Sequence, residues 1–488
     1  MMGSRSGFAL TLCLLASGCM VGPDYQKPDA PVSADFKELT GWKPAAPRDT
    51  TDKGDWWSVY NDPELDRLER MVEVSNQTVK QFEAQYRNAV ALVGGARAGL
   101  FPTVTLPAGV THGTSAGGGL SGAVGGGGGR GVGTIFSVEG SVSWDLDVWG
   151  RVRRQIESNV AGAQVSAADL ANAKLSAQAT LATDYFDLRA EDSLEQLLRE
   201  TVAAYQRALD ITRNQYRAGT SSSADYVTAL AQLQTTQAQL IGVGVQRQTY
   251  EHAIAVLTGH APSELTIPPA RLASTVPVMP AGLPSALLER RPDIAAAERQ
   301  MQQENALIGV QTAAYYPDIS LSALGGFEGA PLSHLFKAAN EIWSLGALGT
   351  ETLFSGGARP AAVAAARAVY DQYVAVYRQT VLTAFQQVED ALSSLRILEQ
   401  QAAAEAIAVA STQRAVDVVL NEYRAGTVAY TSVITEQALL LGNQQTALAV
   451  QQSRLVQSVA LIEALGGGWS TAVLPAPETV KKANPIWP

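Results

Sequence analysis

The stretch Tyr216-Arg217-Ala218-Gly219-Thr220 returns 207 positions later as Tyr423-Arg424-Ala425-Gly426-Thr427. The first copy follows a segment rich in Ala, Leu, Gln, Glu and Arg, which are strong helix formers. A glycine after such a segment suits the left-handed position that ends a helix. Thr220 or Ser221, and Thr427, can cap the helix that follows. We therefore predict that each stretch is the tip of a hairpin between two helices.

The helices that lead into these tips are predicted to be unusually long. No proline occurs between Pro107 and Pro262, or between Pro360 and Pro475. About 65 residues at 1.5 Å each give a rod of roughly 100 Å. Such a length is typical of coiled coils and tubes, not of globular domains. A narrow apolar stripe steps by three or four residues towards the first tip: Leu194, Leu198, Val202, Tyr205, Leu209, Thr212 and Tyr216.

Further matches extend the repeat over most of the chain. Residues 146–150 resemble residues 353–357 at the same separation of 207, and residues 91–94 resemble 306–309 at a separation of 215. All of the matches keep one order along the chain, which indicates an internal duplication. The difference of eight residues predicts a longer loop in the first copy, the glycine-rich stretch Gly113 to Gly133.

Two segments of each copy alternate apolar and polar residues with the period of a half-buried strand. They are residues 104–111 and 136–146 in the first copy, and 319–327 and 343–354 in the second, where the last alternates least regularly. Runs of about 10 residues can cross a bilayer as tilted strands. Each copy is therefore predicted to be a helix, two strands, a long helix, a turn and a second helix.

Four such strands cannot close a barrel alone, because bacterial barrels contain at least about eight. An open strand edge in lipid leaves backbone groups unpaired, at several kcal/mol each. Several copies of the chain must then share one barrel. Three copies would contribute twelve strands, continued by a tube of helices, although composition alone leaves two or four copies open.

The N-terminus has the pattern of a bacterial lipoprotein signal peptide. Arg5 supplies a positive charge, and Phe8 to Leu15 is an apolar run too short to span a bilayer. Ala16-Ser17-Gly18 precede Cys19, which would become the acylated first residue. Acyl chains anchor a protein by burying methylene groups. The covalent lipid on Cys19 is the only added group that we expect, with no cofactor and no metal.

Composition argues against several other classes of protein. A net charge of −10 disfavours nucleic-acid binding, which requires clustered Lys and Arg. No run of about 18 apolar residues predicts a membrane-spanning helix. The four histidines are scattered without the spacing of metal ligands. Residues 113–117 fit the hydrolase pattern G-x-S-x-G, but a glycine-rich loop follows them where that motif needs a helix. We therefore expect that the chain is not an enzyme.

An ordered set of short motifs resembles the outer-membrane factors of tripartite efflux systems, the TolC-like channels, and especially their NodT-like lipoprotein subgroup. The set runs from one end of the chain to the other. It comprises Val21-Gly22-Pro23-Asp24-Tyr25 after Cys19, Trp56-Trp57, Asp62-Pro63-x-Leu65, Asp147-x-Trp149-Gly150-Arg151, Leu288-x-Arg290-Arg291-Pro292-Asp293-Ile294, Ala297-Glu298 and Leu465-Gly466-Gly467-Gly468-Trp469.

The resemblance implies a fold, a location and partners. The fold would be an α+β membrane protein, in which a homotrimer forms a 12-stranded outer-membrane β-barrel continued by a periplasmic α-helical coiled-coil tunnel. Its tips would dock to a periplasmic adaptor and, through it, to an inner-membrane RND pump. The expected organisation is a signal peptide at 1–18, a lipidated extended segment at 19–61, repeats at 62–275 and 276–469, and a tail at 470–488.

The resemblance also implies a gate at the periplasmic tips, where rings of side chains constrict the tunnel. Asp225 matches an acidic gate position, and three symmetric carboxylates would favour cations. The second copy has Ser432 and Thr435 where the family often has Asp. Tyr423 matches a gate tyrosine that hydrogen-bonds between helices. The residues expected to dock the adaptor lie at the two tips: Tyr216, Arg217, Gly219, Thr220, Arg424, Gly426 and Thr427.

Two of these gate residues have simpler explanations that the sequence leaves open. Asp225 can stabilise the first turn of its own helix through the helix dipole, and Tyr423 can simply pack the hairpin. At the level of function, the leading prediction is a passive exit duct for small molecules. The alternative is a structural envelope protein without a pore, which would have no need of amphipathic strands.

Overall fold

A computed structural model of the chain describes residues 20–30, 36–39, 55–114, 132–277 and 287–483. The predicted signal peptide, Cys19 and most of the glycine-rich loop lie outside these ranges. The helices are α1 (Pro63–Ser75), α2 (Gln77–Ala98), α3 (Arg151–Arg217), α4 (Ser223–Leu257), α5 (Leu287–Arg290), α6 (Pro292–Ala313), α7 (Ala358–Arg424), α8 (Tyr430–Ala464) and α9 (Pro477–Lys482). The strands are β1 (Thr103–Thr105), β2 (Ala108–Thr114), β3 (Val132–Leu146), β4 (Asp318–Gly329) and β5 (Glu341–Thr350).

The duplication is visible helix by helix. The long helices α3 and α7 each contain 67 residues and start 207 positions apart. The return helices α4 and α8 each contain 35 residues at the same separation. The preceding helices α2 and α6 each contain 22 residues, 215 positions apart. At 1.5 Å per residue, each long helix is a rod of about 100 Å, as predicted.

The strands form one antiparallel sheet in the order β1-β3-β4-β5, with β2 also paired to β3. The single strand predicted at 104–111 is instead divided into β1 and β2, because Pro107 has no N–H to donate to the ladder. The fourth strand ends at Thr350, not at Phe354 as predicted. In the described chain β5 pairs only with β4, so the sheet has unpaired edges at β5 and on the β1–β2 side.

The main apolar core lies midway along the long helices. It joins the 3₁₀ helix Trp56–Tyr60 and α1 to α3, α7 and the ends of α4 and α8, with Trp57, Leu65 and Leu68 fully buried. At this level the end of α4 meets the start of α2, and the end of α8 meets the start of α6, so that each pair is stacked end to end. Each break is closed by a side chain that donates to the last turn of the return helix, Asn76 to the Leu257 carbonyl (2.7 Å) and Arg291 to the Ala464 carbonyl (2.8 Å).

Among the helices that the structure describes, none is both long and apolar enough to cross a membrane.

Candidate functional site

Both hairpin tips have the backbone geometry that their glycines predict. Gly219 has φ of 74° and Gly426 has φ of 76°, both in the left-handed region. The amide of the following threonine bonds back five residues, Thr220 to the Gln215 carbonyl (2.9 Å) and Thr427 to the Glu422 carbonyl (3.0 Å). These bonds satisfy carbonyls that the helix end leaves free, so both tips are turns closed by hydrogen bonds.

The prediction that Thr220, Ser221 or Thr427 caps the next helix is wrong. The hydroxyls of Thr220 and Thr427 donate to the same carbonyls as their amides, at 3.1 and 2.9 Å, and so belong to the end of the long helix. The cap residue of α4 is Ser222, whose hydroxyl accepts from the Asp225 amide. Ala429 holds the cap position of α8, and its methyl side chain cannot form a hydrogen bond.

Asp225 is bonded locally, within the first tip. Its carboxylate accepts from the Ser222 amide (3.3 Å) and from the Ser221 hydroxyl (2.9 Å), which completes a capping box. The equivalent Ser432 is exposed, and the Thr435 hydroxyl donates to the Thr431 carbonyl of its own helix (3.0 Å). Of the three predicted gate positions on the return helices, only Asp225 brings a carboxylate.

Tyr423 joins the two repeats. Its hydroxyl donates to the Gln215 side chain on α3, across 208 positions of sequence. Its ring also packs at 5.2 Å from Tyr430, whereas the equivalent Tyr216 is 46% exposed and stacks on Tyr226 of its own hairpin. The inter-helix hydrogen bond expected for Tyr423 is therefore present.

Tyr430 is a tip residue that the sequence reasoning missed. It begins α8 and is 3% exposed, within a cluster that includes Tyr205 and Leu209 of α3 and Ala229 and Leu233 of α4. Burial, with the neighbouring Tyr423, raises the pKa of Tyr430 to about 12. No signal in the repeat could have identified it, because the equivalent residue of the first copy is Ser223.

The segment that would follow the acylated cysteine docks at the junction of sheet and tunnel. The Val21 amide donates to the Trp149 carbonyl (3.1 Å), and Met20 lies so close to Gly150 that a Cβ there would be 2.7 Å from it. The buried Arg154 donates to the Val21 and Gly22 carbonyls, at 3.1 and 3.2 Å. Residue 20 is thereby placed beside the end of β3.

Further along, the same segment lies on the second repeat. Gly22 crosses α6 at Gly309, where an added Cβ would be 2.4 Å from the Gly309 Cα. Asn305 donates to the Pro23 carbonyl (3.0 Å), and Lys27 pairs with Glu298 (2.7 Å). The N-terminal segment therefore contacts both repeats.

Comparison with known proteins gives one consistent result. The model of the outer membrane efflux protein family matches residues 70–260 and 283–467. A probable efflux pump outer membrane protein of Pseudomonas putida, TtgC, is 29% identical over 96% of both chains. The outer membrane protein OprJ of Pseudomonas aeruginosa is 27% identical over 94% of this chain and 95% of its own. The solved outer-membrane channel OprN superposes with a TM-score of 0.85 at 28% identity, over 92% of this chain and 100% of its own.

Proposed function

Since the chain belongs to the outer membrane efflux protein family, we propose that it is a passive exit duct in the outer membrane, the last component of an efflux pump. The observation that carries this function is the pair of 67-residue helices, which lead from one amphipathic sheet to two closed tips. An enzyme does not need helices of about 100 Å, whereas a duct that crosses the periplasm needs that length. Its relatives are transporter components and not enzymes.

The working unit in this proposal is a homotrimer. The free edges of the sheet, at β5 and on the β1–β2 side, support it, because edges in lipid must be paired. Because β1 and β2 lie along the same edge of β3, each sheet is four strands wide, and three sheets would close a 12-stranded barrel. The tunnel would then project into the periplasm and bind an adaptor through exposed tip residues such as Arg217, Thr220, Arg424 and Thr427. The adaptor would connect it to an inner-membrane RND pump.

The gate in this proposal lies at the two tips. Asp225 and Tyr423 would hold it closed, with Ser432 and Thr435 as the weaker positions of the second repeat. Two observations support this assignment: the Tyr423–Gln215 bond between the repeats, and the position of the Asp225 carboxylate in the first tip. Opening the duct would require the tips to move apart, which breaks that bond.

Single-channel recording in planar bilayers tests the duct and the gate together. The wild-type protein is expected to conduct weakly, and Asp225→Ala and Tyr423→Ala should each raise the conductance severalfold. Ser432→Ala, at the equivalent position, is the matched control and should change it little. A folded protein that never conducts, even in the double variant, would contradict the duct and favour a structural envelope protein.

The lipid anchor is proposed for Cys19, and the docking of residues 20–24 at the end of β3 supports it. An acyl group on Cys19 would enter the bilayer directly beside the barrel. Radiolabelled palmitate should be incorporated into the wild-type protein and not into Cys19→Ser. Incorporation into Cys19→Ser would rule out this site.

A further inference from the structure

A cleft of about 360 Å³ opens where α4 meets α2, beside the first long helix. Asn76, Thr78 and Phe82 of the first repeat line one side, Leu257 lies at the end of α4, and Asp169 and Asn172 come from α3. The volume is within the range of sites for small molecules, about 300–1,000 Å³. Neither the tips nor the anchor uses this part of the molecule.

The second repeat has a cationic side chain at the equivalent position. Arg291 is equivalent to Asn76, Asp293 to Thr78 and Ala464 to Leu257, at the separations of 215 and 207 that relate the helices. Arg291 is 7% exposed, and its guanidinium pairs with Asp293 at 2.7 Å while it donates to the Ala464 carbonyl. Asn76 makes the corresponding bond to Leu257 but carries no charge.

The cleft of the first repeat also contains an unused negative charge. Asp169 is half-buried and has no hydrogen-bond or ion-pair partner among the residues that the structure describes. Burial raises the pKa of its carboxyl group, as expected for a carboxylate without a compensating cation. The equivalent residue in the second repeat is Val376, so the unpaired carboxylate and the missing arginine occur in the same repeat.

The rest of the lining combines apolar and polar groups. Phe82, Leu257, Ala173 and Ala177 give an apolar wall, and Asn172 adds an exposed amide group. The Thr180 hydroxyl in the same lining donates to the Ser176 carbonyl of its own helix (2.8 Å). A ligand of matching chemistry has a cationic nitrogen for Asp169 and an apolar body for Phe82 and Leu257. An aromatic face next to a cation adds a further attraction.

We propose that this cleft is a binding site for organic cations, namely amines or amidines that carry an apolar body. The bound cation would supply, in the first repeat, the positive charge that Arg291 supplies in the second. The site does not depend on the duct function, because binding can be measured on protein that carries no current.

The test is a direct binding measurement on the full-length protein in lipid nanodiscs. Saturation-transfer NMR would compare 1-naphthylmethylammonium with its neutral isostere, 1-naphthylmethanol. The cation is expected to bind about tenfold more tightly than the alcohol, the difference expected of one charge-assisted contact. Equal binding of the two probes would overturn the proposal, as would no binding of the cation at millimolar concentration.

Variants locate the site. Asp169→Asn should weaken cation binding about tenfold, to the level of the alcohol. Asn76→Arg combined with Thr78→Asp copies the second repeat and should abolish binding, because the chain then fills its own cleft. Asp184→Asn is the matched control, since Asp184 is a half-buried carboxylate on α3 outside the cleft. Equal losses in Asp169→Asn and Asp184→Asn, or full binding by the filled variant, would place the cation elsewhere and overturn the proposal.

Discussion

The two hairpin tips close with the same turn but differ in the side chains that stabilise the start of the return helix. The first tip starts its return helix with a capping box of Ser222 and Asp225, and it stacks Tyr216 on Tyr226. The second starts with Ala429 and has no side-chain cap, but it buries Tyr430 in a cluster with residues of the first hairpin. The first tip is thus stabilised by its own residues, and the second by its contact with the first.

This difference has a functional consequence within the proposed gate. Both hairpins lose the shared cluster when they separate, but the first return helix keeps its own cap and the second has none. We therefore expect the second hairpin to change its structure more than the first when the duct opens. Substitutions compared between the two repeats test that asymmetry.

The largest effect is expected for Tyr430→Ala. Removing a buried aromatic ring costs about 3–5 kcal/mol, and the loss should loosen both hairpins, because the ring lies in a cluster shared by the two. Ser223→Ala, at the equivalent position, should be nearly neutral. Hydrogen exchange of the tip peptides would measure both, and protection that stays unchanged in Tyr430→Ala would refute the dependence of the second tip on the first.

Asp225→Ala should destabilise the start of α4 by about 1 kcal/mol, the usual cost of losing a cap. Ser432→Ala should leave α8 unchanged, because no side-chain cap exists there. Exchange rates of residues 223–228 and 430–435 separate the two outcomes. Equal effects at the two positions would mean that the capping box contributes nothing specific to the first tip.

Tyr423→Phe should cost about 0.5–1 kcal/mol, the net value of one hydrogen bond. It removes the bond to Gln215 and should raise exchange at the tips without unfolding either hairpin. Tyr216→Phe is the control, because the Tyr216 ring is half-exposed and stacks within its own hairpin. If Tyr216→Phe raised exchange at the tips more than Tyr423→Phe does, the hydrogen bond of Tyr423 would not be what holds the two hairpins together.

The smallest effect concerns two neighbouring carboxylates of α3, Asp184 and Asp187, whose equivalents on α7 are Ala391 and Ser394. Burial and the neighbouring Asp187 raise the pKa of Asp184 to about 6, and the equivalent residue in α7 is Ala391. A carboxyl group with a raised pKa stabilises the fold at low pH and loses that contribution as the pH rises through about 6.

Asp184→Asn should therefore be more stable than the wild type at pH 8, by at most about 1 kcal/mol for a half-exposed group. The difference should vanish at pH 4. Thermal unfolding at both values would measure it, with Ser394→Ala on α7 as the control that shows no dependence on pH. A difference that grows towards low pH would have the wrong sign.

The repeat pattern predicted most of the fold because it depends on local chemistry. The absence of proline and the glycines at 219 and 426 were enough to predict the long helices and the tips. Caps were predicted less well, since Thr220 and Thr427 can bond to either of two helices, and only the closed turn decides between them. The burial of Tyr430 was not predictable, because it depends on how two hairpins pack across more than 200 residues.

The N-terminal segment can dock only after the two repeats have folded against each other. Its docking site combines Trp149 and Arg154 of one repeat with Asn305 and Gly309 of the other. That surface forms only when α3 and α6 pack together. Residues 20–27 therefore cannot dock in a chain that has not yet folded. Until then these residues stay accessible to proteases, and completion of the fold withdraws them. Protection of residues 20–27 therefore reports that the two repeats have folded onto each other.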